Sequence, residues 1–330
     1  MNLKRLMTRL GVVFLTISLL FSGCSGERPV SPAQAETQTP VIAQTPRPSS
    51  SSVPTASVTD EDREAEDKAQ ESVQEQSLEK QRKIVSEAVT ALHETYFALD
   101  FLSQSKPQEA LAAVEKAIGK LEVVLAREPS LALAPISTVV RTDDLIADPS
   151  DVEKLVKEAE ELLEDGKVQQ ARLILGDLAS ETLITTTSIP LGTYPDALKS
   201  AAKSIDNGQL EEAASVLNEA LSTQVVTDVL IPLPLARAEA ALNAAEELAE
   251  KSDRTKEESA ELNRFLDSAE KSARLAEALG YGTKADFKIY FDEVEQLRDK
   301  TSGGKSGEGF FDNIKDSLKN LGEQARWLEV

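Results

Sequence analysis

The chain has one histidine and one cysteine among 330 residues, which limits the chemistry that its side chains can do. His93 lies in the run HETYF, which has no second histidine four residues on, so the H-E-x-x-H zinc pattern is absent. A Ser-His-Asp hydrolase would have to use His93, yet no G-x-S-x-G turn is present for its nucleophile. We therefore predict no metal site, no cofactor and no catalytic residue. His93 is either an ordinary exposed side chain or one whose titration near about pH 6 tunes an interface.

The motif GGKS at residues 303–306 invites comparison with a phosphate-binding P-loop. That loop needs a glycine five residues before its Gly-Lys pair, where this chain has Asp299, and it must follow a strand. The preceding pattern here is helical, so we predict a connecting loop. The 57 acidic side chains are too abundant for any neighbouring pair to indicate catalysis.

Cys24 follows an N-terminus of the secretory type. Residues 1–9 carry three basic side chains and no acidic one, and residues 10–21 form an uncharged apolar run. This run is too short to span a bilayer, which needs about 20 residues. It ends in FSGC, which resembles a bacterial lipobox with phenylalanine in the aliphatic position. By that resemblance Cys24 becomes the acylated N-terminus of the mature chain; in the alternative, the signal is removed whole and Cys24 is incidental.

The lipobox predicts a lipid-anchored protein of the cell envelope that faces the periplasm. Ser25 stands where an aspartate would oppose transfer between membranes, so the outer membrane is favoured over the inner one. The net charge of the whole chain is −21, and the signal peptide removes three of the basic residues. Such an acidic chain repels nucleic-acid phosphates and anionic lipids. We predict no nucleic-acid partner, and contact with the membrane only through the anchor at Cys24.

Composition divides the chain into three parts. Residues 1–23 are the lipoprotein signal peptide. Residues 24–79 begin with a segment rich in Pro, Ser, Thr and Gln, which predicts a disordered tether. Thr59 and Asp62 fit a helix-start pattern, but the acidic run behind them has almost no apolar face, so this helix start is predicted to be solvated. Residues 80–330 are the predicted folded domain.

Three corners of similar sequence predict helical hairpins within this domain. They read SKPQEA (residues 105–110), DGKVQQA (165–171) and NGQLEEA (207–213), and each lies between two apolar stripes of helical period. A proline follows the last alanine of each corner by 19 residues. Spacings of 61 and 42 residues between the corners exclude a regular solenoid. The sequence thus predicts a mainly α fold of about nine helices, with irregular hairpins packed as one globular domain.

Three β-branched stretches follow the hairpins, at residues 134–140, 183–191 and 224–233. Val, Ile and Thr favour strands, while the prolines in these stretches limit their length or place them at an edge. Two structures remain open at this point. One is a small sheet of two or three short strands, and the other is a set of extended loops through the helical core.

Aromatic residues make up only 4% of the chain, and six of them fall between residues 281 and 311. Their helical spacing is typical of core filling. The alternative is a groove or subunit contact in which some rings are accessible. With one further tyrosine, the candidate ligand or partner surface consists of Tyr194, Tyr281, Phe287, Tyr290, Phe291, Phe310 and Phe311.

Several separate blocks of the chain resemble, in order, the YfdX family of bacterial envelope proteins. The blocks are KLEVVLAREPSLAL, EELLEDGKVQQAR, LITTTSIPLGTYPDALK, VLIPLPLARAEAAL, LAEALGYGTKADFK and GGKSGEGFFDNIKDSL, within residues 82–320. The resemblance implies a largely helical protein outside the inner membrane that is associated with stress responses, notably to acid. It implies small-molecule binding or a chaperone-like role, without an established enzymatic activity. Family members often carry an ordinary cleavable signal, from which the lipobox departs.

These observations predict a non-enzymatic, lipid-anchored envelope protein that binds partners during acid stress. The candidate partners are a second copy of the chain, small molecules and unfolded clients. As the pH falls through about 4–5, Asp and Glu lose their charge, so oligomer size or client binding should change. The alternative is a hydrolase without a recognisable motif.

Replacing Cys24 with serine tests the anchor. We expect the wild-type protein to fractionate with membranes and to carry the mass of acyl chains, because two or three chains suffice for stable anchoring. The Cys24→Ser variant should lose both properties. A wild-type protein that is soluble and unacylated would contradict the lipobox.

Overall fold

Three helical hairpins, each followed by a β-strand, form the central part of the chain. The computed structural model describes residue 54 and residues 56–326, except 252, 305, 306 and 308. The predicted signal peptide, Cys24 and most of the predicted tether lie outside the described residues. The helices are α1 (Asp60–Arg82), α2 (Ser86–Ser103), α3 (Pro107–Arg127), α4 (Pro149–Glu164), α5 (Val168–Gly176), α6 (Tyr194–Asp206), α7 (Leu210–Ser222), α8 (Leu233–Ala249), α9 (Lys256–Ala278), α10 (Lys284–Thr301) and α11 (Phe311–Arg326). The strands are β1 (Leu133–Asp143), β2 (Glu181–Pro190) and β3 (Val225–Pro232).

The predicted mainly α fold is confirmed, with eleven α-helices in the described part of the chain in place of the expected nine or so. The first hairpin is α2–α3, the middle hairpin α4–α5 and the last hairpin α6–α7. None of the described helices is both long enough and apolar enough to cross a bilayer.

Each hairpin turns on one residue with left-handed backbone geometry. Gly166 and Gly208, which suit this geometry, have φ values of 74° and 75°. Ser105 occupies the same place in the first hairpin with φ 58°. The three corners are therefore equivalent in structure as well as in sequence, and the first one uses a residue that is strained in this conformation.

Equivalent positions of the hairpins, 61 and then 42 residues apart, bury the same small side chains. Alanines fill the seam between the paired helices in all three: Ala98, Ala159 and Ala201 on the first helices, and Ala110, Ala171 and Ala213 on the second. The shared proline spacing has no such meaning. Pro129 precedes β1, whereas Pro190 and Pro232 end β2 and β3, because α3 is longer than α5 and α7.

The β-branched stretches form one antiparallel sheet in the order β1-β2-β3, which settles the choice between strands and loops. Thr185 in the central strand faces Val139 on one side and Asp228 on the other. The strands are 11, 10 and 8 residues long, longer than the prolines suggested. Two of those prolines end strands, and Pro135 in the edge strand β1 lies at a register irregularity, a place where sheets tolerate proline.

Two large cores hold the helices. The first and last hairpins pack against each other as a four-helix bundle around Leu121, Leu198 and Leu217. Helices α8 to α11 surround a second core that contains Leu242 and Leu266. The middle hairpin joins neither core; its base packs on α9 through Val152 and Leu275.

Helix α1 differs from the expectation of a solvated segment. Its predicted start is confirmed, because Thr59 and Asp62 form a capping box. Ala65 and Ala69 are buried against α8, and Val73 is buried against the sheet. These side chains recur every fourth residue, as expected for one face of a helix. Because they are small, the hydrophobicity of the sequence gives almost no sign of a buried face here. The structure adds α1 to the packed body.

The corner geometry predicts opposite effects of two substitutions. Gly208→Ala should lower the free energy of unfolding by about 1 kcal/mol, because a Cβ is unfavourable at positive φ. Ser105→Gly should raise it by about 0.5 kcal/mol, since released strain exceeds the extra entropy of the unfolded chain. Chemical denaturation measures both. Equal signs for the two variants would contradict the equivalence of the corners.

Candidate binding surface

Most of the seven predicted aromatic residues are core side chains, which corrects the hypothesis of a surface built from them. Tyr194 is buried in the four-helix bundle, where its hydroxyl donates to Thr95 Oγ1 at 3.1 Å. Burial raises the pKa of Tyr194 to about 12. The rings buried in the C-terminal core are Tyr281, Phe287, Tyr290 and Phe311. Because Tyr194 belongs to the other core, the structure does not bring the seven together.

Tyr281 has a specific structural role at the start of β2. Its hydroxyl accepts the backbone N–H of Ser180 at 3.0 Å and donates to Glu181 Oε2 at 2.8 Å. Burial and the nearby Glu181 charge raise the pKa of Tyr281 well above its ordinary value. The tyrosine thus connects the C-terminal helices to the sheet.

Phe291 and Phe310 are the two accessible members of the set, and each lies beside a cation. The Arg274 guanidinium is 4.4 Å from the centre of the Phe291 ring, and the Lys300 ammonium is 5.5 Å from that of Phe310. Phe310 is 40% exposed. These two rings keep their status as candidate partner contacts.

His93 lies on the exposed face of α2, close in sequence to two exposed rings that the sequence did not identify. Tyr96 and Phe97 are 50% and 54% exposed, at helical spacings of three and four residues from His93. Tyr96 lies at helical spacing from Leu92 and Leu99, so the sequence pattern alone would include it among the apolar positions of this helix. It is nevertheless half exposed, because no other element of the described chain covers it. The pH-sensing role of His93 stays a prediction.

Helix α1 is held to the body by charged side chains at its N-terminal half. Asp62 accepts hydrogen bonds from Ser268 Oγ at 2.7 Å and from Lys271 Nζ at 3.0 Å, both on α9. Glu61 pairs with Arg264 of the same helix, α9. We name this set of contacts, with the Arg237 contact described next, the α1 clamp.

Arg237 on α8 is the most buried cation of the clamp. It donates to both carboxylate oxygens of Asp144 at 2.8 and 2.7 Å, and it lies 3.7 Å from Glu66 on α1. Its side chain is only 10% exposed. One guanidinium therefore joins α1, α8 and the segment after β1.

The residues just before α1 are attached to the same place. The backbone N–H of Ala56 donates to the carbonyl of Ile146 at 3.2 Å, and Ala56 is buried. Lys271 Nζ also donates to the carbonyl of Ser57 at 2.7 Å. The chain thus enters the body at the clamp.

Two carboxylates of the clamp, Asp62 and Glu61, are stabilised in their charged form. Burial alone would raise the pKa of Asp62, but hydrogen bonds from Ser268, the Thr59 backbone and Lys271 together lower it below its ordinary value. The hydrogen bond from Arg264 lowers the pKa of Glu61 against a weaker opposing effect of desolvation. Neutralising these groups would weaken the attachment of α1.

Two open clefts flank α1, and we take α1 with these clefts as the candidate site. One, of about 390 Å³, lies between α1, α8, α11 and the end of β3. Its wall combines the apolar Leu230 and Leu235 with Lys68, Lys319 and carboxylates. The other, of about 370 Å³, lies between the second half of α1 and the sheet. Mixed walls of this kind suit amphipathic molecules.

Within the part of the chain that the structure describes, no three His, Cys, Asp or Glu side chains are grouped as metal ligands would be. In the GGKS segment, Gly303 follows α10 with φ 70°, while Lys305 and Ser306 lie outside the described residues. The lipid attachment predicted at Cys24 also lies outside them.

Comparison with known proteins confirms the predicted resemblance over part of the chain. The family described as YfdX protein matches residues 91–230, which include the middle and last hairpins and most of the first. The resembling blocks after residue 230 lie beyond this match. A solved structure of YfdX from Salmonella Typhi has 14% identity, covers 46% of this chain and 93% of that chain, and gives a TM-score of 0.32. No curated protein matches the chain.

Removing Arg237 tests the clamp. Arg237→Ala should lower the free energy of unfolding by about 2 kcal/mol, because it leaves partly buried carboxylates without their cation. The control is Arg63→Ala on the outer face of α1, where an exposed pair contributes about 0–1 kcal/mol. Equal effects of the two substitutions in thermal or chemical unfolding would contradict a structural role for the clamp.

Proposed function

We propose that this chain, whose residues 91–230 match the YfdX family, is a non-enzymatic, lipid-anchored envelope protein that binds small molecules or unfolded chains under acid stress. Acid stress and the binding role come from the resemblance to the family, and the anchor comes from the lipobox at Cys24. The observation that carries the proposal is the α1 clamp, in which acid-sensitive groups hold a helix over apolar surface.

The surface that α1 covers is apolar, and it is formed by two elements, α8 and the sheet. The first half of α1 covers the alanine-rich face of α8 that includes Ala238 and Ala241. Val73 covers a patch of the sheet made by Ile184 and Ile231. Detachment of α1 would expose both, and exposed apolar patches of this kind bind small amphipathic molecules and unfolded chains.

Helix α1 contributes few large apolar side chains to its own burial. Its buried residues are Ala65, Ala69, Val73 and Ser77. Since hydrophobic stabilisation scales with buried apolar area, such a helix gains little from packing alone. Charged contacts must therefore supply a large share of its attachment.

The charged groups around the clamp come from every element packed against it. The clamp carboxylates of α1 are Glu61, Asp62 and Glu66. The groups facing them are Arg264, Lys271 and Glu261 on α9, Arg237 on α8 and Asp144 after β1. On acidification the cations keep their charge, while Glu61 and Asp62 lose theirs.

The direction of the pH effect follows from the lowered pKa values. A carboxylate whose pKa is lowered by folding stabilises the folded arrangement above its ordinary pKa, which is about 4. That contribution is lost as the pH falls through the lowered value of Asp62 and Glu61. We therefore expect α1 to stay attached near neutrality and to detach below about pH 4, as the pH falls through the lowered pKa values of Asp62 and Glu61.

The double variant Glu61→Gln/Asp62→Asn imitates acid at neutral pH. The probes are an anilinonaphthalene sulfonate dye, whose fluorescence rises on apolar surface, and light scattering from a diluted urea-unfolded protein. The wild-type protein should bind dye and suppress scattering several-fold better at about pH 3 than at pH 7. The double variant should show the same gain at pH 7.

The matched control is Glu71→Gln/Glu75→Gln, which removes two exposed carboxylates from the same helix. It should behave as wild type at pH 7. If wild-type dye binding and client suppression are flat with pH, or if the two double variants behave alike, the clamp mechanism is wrong. Turnover that is lost on changing His93 would instead support the hydrolase.

A further inference from the structure

The middle hairpin presents two large aliphatic side chains to solvent at positions where the other hairpins bury theirs. Leu163 is 47% exposed, while its equivalents Leu102 and Ile205 are 7% and 5% exposed. The three positions are 61 and 42 residues apart, the spacing of the corners. The middle hairpin therefore has a large aliphatic residue at the same position as the other two hairpins, but there the side chain is exposed.

A second position, on α5, repeats the difference. Leu175 is 45% exposed, whereas its equivalents Val114 and Leu217 are fully buried. Val168 at the start of α5 is 53% exposed as well. The seam alanines Ala159 and Ala171 are buried as in the other hairpins, so the middle hairpin is properly closed on itself. Only its outer packing face lacks a cover.

In the first and last hairpins, the face that corresponds to this one is covered by another hairpin. Leu102 and Val114 of the first hairpin share one core with Ile205 and Leu217 of the last hairpin. At these positions, therefore, one hairpin is covered by another of the same kind. The middle hairpin contacts α9 near its base, through Val152 and Leu155, and has no third hairpin in the described chain to pair with.

We propose that the middle hairpin pairs with the middle hairpin of a second copy of this chain, forming an intermolecular four-helix bundle. A contact between two identical surfaces is isologous and has two-fold symmetry, so Leu163 and Leu175 of each copy face the partner. The helices cross as in the bundle formed by the first and last hairpins. This proposal is independent of the α1 clamp.

Charge opposes this pairing only slightly more than it opposes the pairing within the chain. Residues 86–127 of the first hairpin contain six acidic and four basic side chains, and residues 194–222 of the last contain five and two. These two acidic hairpins pack together. Residues 149–176 of the middle hairpin contain seven and four, which gives a net charge equal to that of the last hairpin. A second copy is therefore an acceptable electrostatic partner.

A control residue lies on the same short helix. Leu173 is 69% exposed, but its equivalents Ala112 and Ser215 are exposed too. This position therefore faces solvent in all three hairpins and is not part of the packing face. A substitution there removes an equally large apolar side chain without touching the proposed interface.

Sedimentation velocity over a concentration series tests the proposal on the full mature chain carrying Cys24→Ser. We expect the parent protein to self-associate to a dimer. The Leu163→Ser/Leu175→Ser variant should raise the dissociation constant at least tenfold, and Leu173→Ser should change it less than twofold. Circular dichroism should be the same for all three. A parent protein that stays monomeric, or a double variant that dimerises as the parent does, overturns the proposal.

Cross-linking locates the contact. In the Cys24→Ser background, Leu163→Cys introduces the sole cysteine, and a short bismaleimide should join two copies efficiently. Leu173→Cys should give at least fivefold less dimer. Equal yields would place the dimer contact elsewhere. A photoactivatable maleimide at position 163 that labels residues 24–55 of its own chain would assign the face to the N-terminal segment. Either result overturns the proposal.

Discussion

An amphipathic helical hairpin cannot bury its apolar face by itself, and the architecture of this protein follows from that constraint. Two helices joined by a tight corner close their seam with alanines, as all three hairpins do here. The larger side chains on the outer face then need a second layer. The first and last hairpins provide that layer for each other, and the C-terminal helices α8 to α11 form a layer of their own. The sheet lies between these parts, and its three strands follow the three hairpins in order.

Helix α1 also needs a second layer to bury its apolar face, but the contacts that hold it there are of a different kind. It covers α8 and one face of the sheet with small side chains, which permit close approach but bury little area. Its position therefore depends on carboxylates that reach Arg237, Arg264 and Lys271. Apolar packing changes little with pH, whereas such ion pairs are lost when the carboxylates are protonated. The least apolar of the described helices is thus the one for which we propose release by acid.

The middle hairpin is the exception among the repeats. It has the corner, the seam alanines and the apolar outer positions of the other two, yet it stands beside α9 with most of α5 open to solvent. An odd number of like units cannot all be paired within one chain. The unpaired unit is recognisable only by comparing exposures at equivalent positions, because its sequence is no different in kind from those of its partners.

Elements that local chemistry controls could be predicted from the residues alone. Glycines at positive φ ended the first helices of two hairpins, and Thr59 and Thr283 began helices through their caps. The β-branched stretches became strands. The resemblance to the YfdX family was also present in the sequence and was confirmed over residues 91–230. The turns, caps and strands depend on a few neighbouring residues, so they can be predicted without knowledge of the fold.

The surfaces that meet in the folded chain could be identified only in three dimensions. The spacing of Phe287 or Tyr290 indicates a helical face but not what lies opposite, and both proved to be core residues. Tyr96 has similar spacing and is half exposed. The buried side chains of α1 are too small for the sequence to show an apolar face. The hydrogen-bond partners of Asp62 on α9 lie about 200 residues away along the chain. Burial is a property of two surfaces, and a stretch of sequence describes only one of them at a time.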